Sequence, residues 1–198
     1  MKIGVLAVQG AFIEHEHIIE KIGHEVVEIR QRKDLDGIDG IILPGGESTV
    51  QGQLLRKLDM LATIKSLIAD GLPTLATCAG LILLAGHIDN DDSVHIGTLP
   101  VTVKRNAYGR QLGSFVRTAP MKGFDEFPMI FIRAPYISSI KDNVDVLAAV
   151  NDRIVAVQYN NQIGLAFHPE LSGDTRIHEY FISPVSYTHL TLPTILLV

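Results

Sequence analysis

The chain has 198 residues, enough for one domain with a substantial core. With 46% hydrophobic and 20% charged residues it has the balance of a soluble globular protein, and no stretch reaches the ~18 apolar residues of a membrane span. A formal charge of −5 and the lack of any Lys/Arg run argue against a nucleic-acid backbone as main partner, and a single cysteine excludes an internal disulfide.

The opening MKIGVLAVQG is interrupted at Gln9 and Gly10 too early for a signal peptide, so a reducing, cytoplasmic compartment is expected. Residues 2–8 (KIGVLAV) read as a strand buried on both faces. Residues 11–22 place Phe12, Ile18, Ile19 and Ile22 on one face of a helix that Gly23 ends. His15 and His17, two apart on that helix, diverge and are expected at the surface. Residues 25–30 (EVVEIR) and 40–43 (GIIL) are strands, the second stopped by Pro44-Gly45-Gly46. From 49 to 70, Leu54, Leu55, Leu58, Leu61, Ile64, Leu67 and Ile68 keep a helical period, and Gly71 stops it. Residues 72–77 (LPTLAT) form a strand; the Cys78 turn and an apolar helix to Leu84 follow.

Such βαβ alternation predicts an α/β, doubly wound domain with a largely parallel central sheet. The second half changes style. Residues 96–103, 129–133, 144–150, 154–159 and 163–167 read as strands, with hairpin signals at Asn151-Asp152 and Asn160-Asn161. Antiparallel additions to the sheet are expected there, then one closing helix over 174–181. No repeat or linker divides the chain, so residues 1–182 form one domain. Residues 183–198 (SPVSYTHLTLPTILLV) carry two prolines and no Asp, Glu, Lys or Arg. They do not continue the helical pattern, and read as an atypical tail arising from expression design or a shifted reading frame.

Three segments could carry chemistry. Cys78 falls where a strand ends and a helix begins, the position of a nucleophile elbow, with Gly80 permitting a tight turn. Helix N–H groups and the helix dipole would favour a thiolate there. A small buried hydrophobe is the other reading, and this segment leaves both open. In FHPEL, His168 and Glu170 are two apart, so on extended backbone they share a face. An imidazole that accepts a thiol proton and a carboxylate that holds its other nitrogen is the chemistry they suit. In LPGGES, Gly45 and Gly46 can turn backbone N–H groups toward a ligand as an oxyanion hole. Ser48 with Gln51 also fits a capping box. Arg105 and Arg133 are either carboxylate clamps or solvated charges. The remaining histidines show no metal-ligand spacing.

The order PGGES, cysteine elbow, HPE resembles the class I glutamine amidotransferases, the triad glutaminases. LAVQGAFIEH, ILPGGEST, TCAGLILLA, RNAYGRQLGSF, FIRAPYI and AFHPEL narrow the likeness to the glutaminase subunits of pyridoxal 5′-phosphate synthase, over about Met1 to Phe181. RNAYGRQ and FIRAP are not general amidotransferase features. The resemblance implies Cys78 as nucleophile, His168 as base and Glu170 as its orienting partner. It implies an oxyanion hole from the N–H groups of Gly46 and Ala79, and glutamine contacts from Gly46, Glu47, Ser48, Arg105, Ile132 and Arg133.

Family members hydrolyse glutamine to glutamate and ammonia and need no cofactor of their own. The ammonia passes to a (β/α)8-barrel synthase subunit in a complex of twelve plus twelve. Activation by the synthase is expected, with a flip of the Gly45-Gly46 peptide as the switch. Two departures stand out: Ala76 occupies a position where the family usually has Gly, and the tail replaces a polar helix. The competing readings are a glutaminase serving another synthase, or a non-catalytic or redox-sensing doubly wound binding module. RNAYGRQ and FIRAP speak against the first, the HPE segment against the second.

Overall fold

The first apolar run enters the centre of a sheet as β1 (Lys2–Leu6), buried from Ile3 onward. Helix α1 (Phe12–Lys21) returns the chain to β2 (Glu25–Ile29), which lies parallel to β1 on one side, and β3 (Gly40–Leu43) lies parallel on the other. The computed structural model describes the backbone of residues 1–105 and 113–190, with side chains to Ser183. Residues 106–112, which hold most of the RNAYGRQ motif, and residues 191–198 of the tail lie outside the described residues.

Two helices, α2 (Ser48–Lys57) and α3 (Leu61–Ala69), cross to β4 (Thr74–Thr77), where the sequence predicts a single helix. The break is at Asp59, with φ of 54°. The Met60 N–H bonds the Leu55 carbonyl at 2.9 Å and the Asp59 N–H bonds Arg56 at 3.1 Å. That is a Schellman cap with Asp where Gly usually stands, and buried Leu55 and Met60 provide its apolar contact. The leucine period runs straight across the break, which hid it.

After β4 the short helix α4 (Ala79–Leu84) leads to β5 (Ala85–Ile88) and β6 (Leu99–Lys104). The chain continues through β7 (Ser114–Met121), β8 (Phe124–Ile132), β9 (Tyr136–Ile140), β10 (Asp145–Val150), β11 (Arg153–Tyr159) and β12 (Gln162–Leu165). The large sheet runs β2-β1-β3-β4-β12-β11-β9-β6-β5, with β10 on β11. Its β2-to-β12 half is parallel; β11 joins β12 and β10 joins β11 antiparallel through the two Asn turns that the sequence marks, and β9 lies antiparallel between β11 and β6. Strands β5, β7 and β9 have no counterpart among the segments that the sequence pattern marks as strands. Strands β7 and β8 form a separate hairpin whose Phe127 and Phe131 rings meet Phe167 at 6.0 and 5.7 Å between centroids.

The closing helix α5 (Arg176–Leu190) is longer than expected: its backbone runs through Pro184 into the tail instead of stopping near Phe181. Proline lacks the N–H that would bond the Tyr180 carbonyl. The Ser183 hydroxyl donates to that carbonyl at 2.8 Å, which satisfies it and lets the helix pass. Phe181 and Ile182 are the last residues of α5 seen to be buried in the core.

Candidate active site

Strand β4 and helix α4 meet at Cys78, whose backbone is held at φ 49°, ψ −101°. A non-glycine residue with that backbone costs roughly 1–3 kcal/mol, which neighbouring contacts must offset. The Cys78 N–H bonds the Leu165 carbonyl at 2.8 Å, and Gly80 lets α4 come down on β3. A Cβ at Gly80 would lie 2.0 Å from the Leu43 carbonyl oxygen. The sharp turn and the close approach therefore depend on each other, as in a nucleophile elbow.

His168 and Glu170 follow β12. The backbone N–H of His168 bonds the Ile130 carbonyl at 2.8 Å, so the β7–β8 hairpin seats the imidazole through both this bond and the Phe127–Phe131–Phe167 cluster. The ring lies against Gly45, where a Cβ would sit 2.3 Å from Cε1. His168 Nδ1 bonds Glu170 Oε1 at 2.6 Å, and the ring interacts with the Cys78 side chain. Burial disfavours the imidazolium, but the interactions with Cys78 and Glu170 outweigh it and push the His168 pKa up to about 10. The Cys78 Sγ also lies 4.0 Å from the Ile132 carbonyl.

These groups border a cavity of about 480 Å³, large enough for a free amino acid. Gly46, Glu47, Ser48, Cys78, Ala79, Arg105, Ile132, Arg133 and His168 line it, while Glu170 stands behind His168. The structure thus brings together every residue that the sequence nominates. The capping box does not form. Glu47 is the N-cap of α2 and makes no side-chain cap bond. Gln51 instead reaches back to the carbonyls of Gln9 and Pro44, at 3.0 and 3.2 Å. Gln9 Oε1 accepts the Glu47 N–H at 2.9 Å, so Gln9 and Gln51 brace the PGGES turn, a role with no local signal in the sequence. One Arg105 nitrogen binds Asp91 at 3.1 Å, and its Nε and the other terminal nitrogen are buried without a partner among the described residues. Arg133 has φ of 43°.

The expectation for His15 is also overturned. His15 is not at the surface but fully buried, 2.9 Å from His178 and 3.4 Å from Glu170. Its face of α1 is turned inward by Ile18 and Ile19, which sit in the core.

The SNO glutamine amidotransferase family model matches residues 5–187. The chain belongs to that family. Among its relatives, the "Pyridoxal 5'-phosphate synthase subunit PdxT" of Desulfitobacterium hafniense is 58% identical over 187 residues, 94% of each chain. The protein of the same name from Streptococcus pneumoniae is 51% identical over 92% of this chain and 97% of its own. A solved structure titled as a glutamine amidotransferase superposes with a TM-score of 0.89 at 38% identity, over 93% of this chain and 98% of that one. The structure of PurLQS from Thermotoga maritima shares the fold, at 20% identity and a TM-score of 0.69 over 94% of this chain and 98% of that one. The α/β doubly wound architecture is that of the class I glutamine amidotransferases. No helix among the described residues is long and apolar enough to cross a membrane.

Proposed function

We propose that this chain is the glutaminase subunit of a pyridoxal 5′-phosphate synthase, hydrolysing L-glutamine to L-glutamate and ammonia. The observation that carries the reading is the Cys78–His168–Glu170 line at the strained elbow, opening on a cavity of amino-acid size. The family and the names of the relatives at 58% and 51% identity support it.

In this mechanism Cys78 Sγ attacks the side-chain amide carbon of glutamine, its proton residing on His168. The amide oxygen becomes an oxyanion held by the N–H groups of Gly46 and Ala79. The Gly45 carbonyl accepts the Ala11 N–H at 3.0 Å. Because the peptide is trans, the Gly46 N–H points the opposite way. His168 then gives its proton to the departing ammonia, which leaves a γ-glutamyl thioester on Cys78. A water that loses its proton to His168 hydrolyses the thioester, and glutamate is released. Glu170 keeps the His168 ring aligned and stabilises its imidazolium throughout. The two Arg105 nitrogens without a partner among the described residues suit the α-carboxylate of the substrate, and Glu47, Ser48 and the Ile132-Arg133 backbone complete its surroundings.

The ammonia goes to a (β/α)8-barrel synthase subunit, in an assembly of twelve plus twelve in the cytoplasm. Residues 1–182 make up the catalytic domain, and 183–198 are an atypical tail. Ammonia release from glutamine, measured with and without the synthase subunit, tests the reading. We expect weak activity alone and stimulation on titration with the synthase. Near-normal hydrolysis by Cys78→Ala would reject the nucleophile, and indifference to the synthase would reject the partner.

A further inference from the structure

Behind Glu170, four elements deliver polar side chains into the core. His15 comes from α1, His178 from α5, Thr77 from β4 and Glu170 from the turn after β12; none of them lines the cavity. His15 and His178 are fully buried. His15 Nδ1 lies 2.9 Å from His178 Nε2, and His15 Nε2 lies 3.3 Å from Thr77 Oγ1 and 3.4 Å from Glu170 Oε2. Glu170 Oε1 is committed to His168, and Oε2 has no hydrogen-bond partner among the described residues. Among those residues no group of three or more His, Cys, Asp or Glu could hold a metal ion, so the short contact between the rings is a hydrogen bond.

Burial holds both rings neutral. His15, which also faces His178 and His168, is driven well below the usual imidazole range. His178 is pushed down to about 4, against the opposing pull of Asp174. Each ring then carries one N–H, and one proton lies between them, which allows two orders. If His15 donates from Nδ1, its bare Nε2 faces Glu170 Oε2 lone pair to lone pair, and His178 keeps a buried N–H at Nδ1, which has no partner among the described residues. Orphaned buried N–H groups are rare. If His178 donates from Nε2, the unpartnered Nδ1 is only a lone pair. The His15 N–H then sits on Nε2, facing Thr77 Oγ1 and Glu170 Oε2. The second order removes both conflicts.

We propose that His15 is a positioning residue for the Cys78–His168 pair: seated by the His178 N–H, it turns its Nε2–H toward Glu170 Oε2 and holds the carboxylate in line with His168. This inference rests on the triad assignment made above. At 3.4 Å the contact acts as a dipole aimed at a buried carboxylate rather than as a short bond. Helix α1, which begins just after the Gln9-Gly10 turn, thereby reaches the far end of the triad.

The test combines histidine ¹⁵N spectra with kinetics of the full chain, assayed alone and with the synthase subunit. In the wild type, His15 and His178 should both be Nε2–H tautomers at neutral pH. An Nδ1–H His15 overturns the proposal, and this measurement needs no variant to fold. His15→Leu should lower kcat roughly 10- to 100-fold, the scale of a misaligned catalytic group, with KM within about twofold. It should also move the His168 ionisation down by about one pH unit, since the carboxylate that stabilises the imidazolium is no longer held. His15→Gln, which returns an N–H donor, should recover most of both. Equal losses in the two variants with an unmoved His168 ionisation would mean packing alone, and wild-type kinetics in His15→Leu would mean no role; either overturns the proposal. Cys78→Ala and His168→Asn run alongside. If they keep activity, the triad assignment falls and this inference with it; if they lose it while the His15 outcomes fail, this inference alone falls.

Discussion

The N–H of Ala11 donates to the carbonyl of Gly45 across 3.0 Å, tying the β1–α1 turn to the β3–α2 turn at the edge of the cavity. This bond sets the plane of the Gly45-Gly46 peptide, the one assigned above to the oxyanion hole. Any flip of that peptide must break it.

Gly10 makes that approach possible. Its φ is 108°, and a Cβ there would lie 1.9 Å from the Gly45 oxygen. Gly10→Ala should displace the peptide and lower glutaminase kcat by a factor of about 10²–10³, as the loss of an oxyanion-hole donor does. Steady-state rates with a melting curve on the same sample would decide it. A folded variant with full activity would show that the peptide does not serve the reaction.

Arg105 offers a test of substrate binding. Lysine in its place keeps the charge but loses the planar fork that could hold a carboxylate at two points. We expect Arg105→Lys to raise KM for glutamine about tenfold or more while kcat changes little, the pattern of lost uniform binding. A fall in kcat at constant KM would place Arg105 in the chemistry instead.

The ionisations of His178 and His168 shape the pH range of stability from opposite sides. His178, at about 4 when folded, lies below its unfolded value of about 6.5. The unfolded chain takes up its proton first, so stability is lost as pH falls from about 6.5 toward 4, by about 3 kcal/mol from this residue. His168, raised to about 10, acts oppositely: its contribution is full below about 6.5 and is lost as pH rises through 10. Urea unfolding at several pH values should show a maximum between these limits. His178→Gln should flatten the acid side, and an unchanged acid limb would contradict the assignment.

The end of the domain can be located by truncation. Phe181 is 2% exposed, and its Cζ would lie 3.0 Å from a Cβ on Gly40, so it packs on the sheet. Ending the chain after Ser183 should shift the melting temperature by less than about 4 °C, less than about 1 kcal/mol implies in a domain of this size. Phe181→Ala should cost about 3–5 kcal/mol. A large loss on truncation would place the tail within the fold.

Legibility followed range along the chain. The buried parallel strands, the Cys78 elbow and the Asn turns rest on contacts between near neighbours, and each left a local mark. Gly23 and Gly71 mark helix ends because each takes up the positive φ of a cap; Asp59 does the same work without a glycine, and the helix end was missed. Cys78, His168 and Glu170 lie in segments that type and spacing mark, as do the glycines against which they pack, but it is the family likeness that joins the three into a triad. By itself the sequence determined the alternation of elements, the family and most of the polar residues that meet at the cavity, though not Gln9. Only the tertiary structure decided what lies behind them. The β7–β8 hairpin supports His168 through the Ile130 carbonyl and a cluster of phenylalanines. His15 and His178, separated by 163 positions, share one buried hydrogen bond. A polar side chain on an amphipathic helix reads as exposed when only its own helix is considered. It becomes a core residue when three other elements supply its partners, and no periodicity within one helix can carry that information.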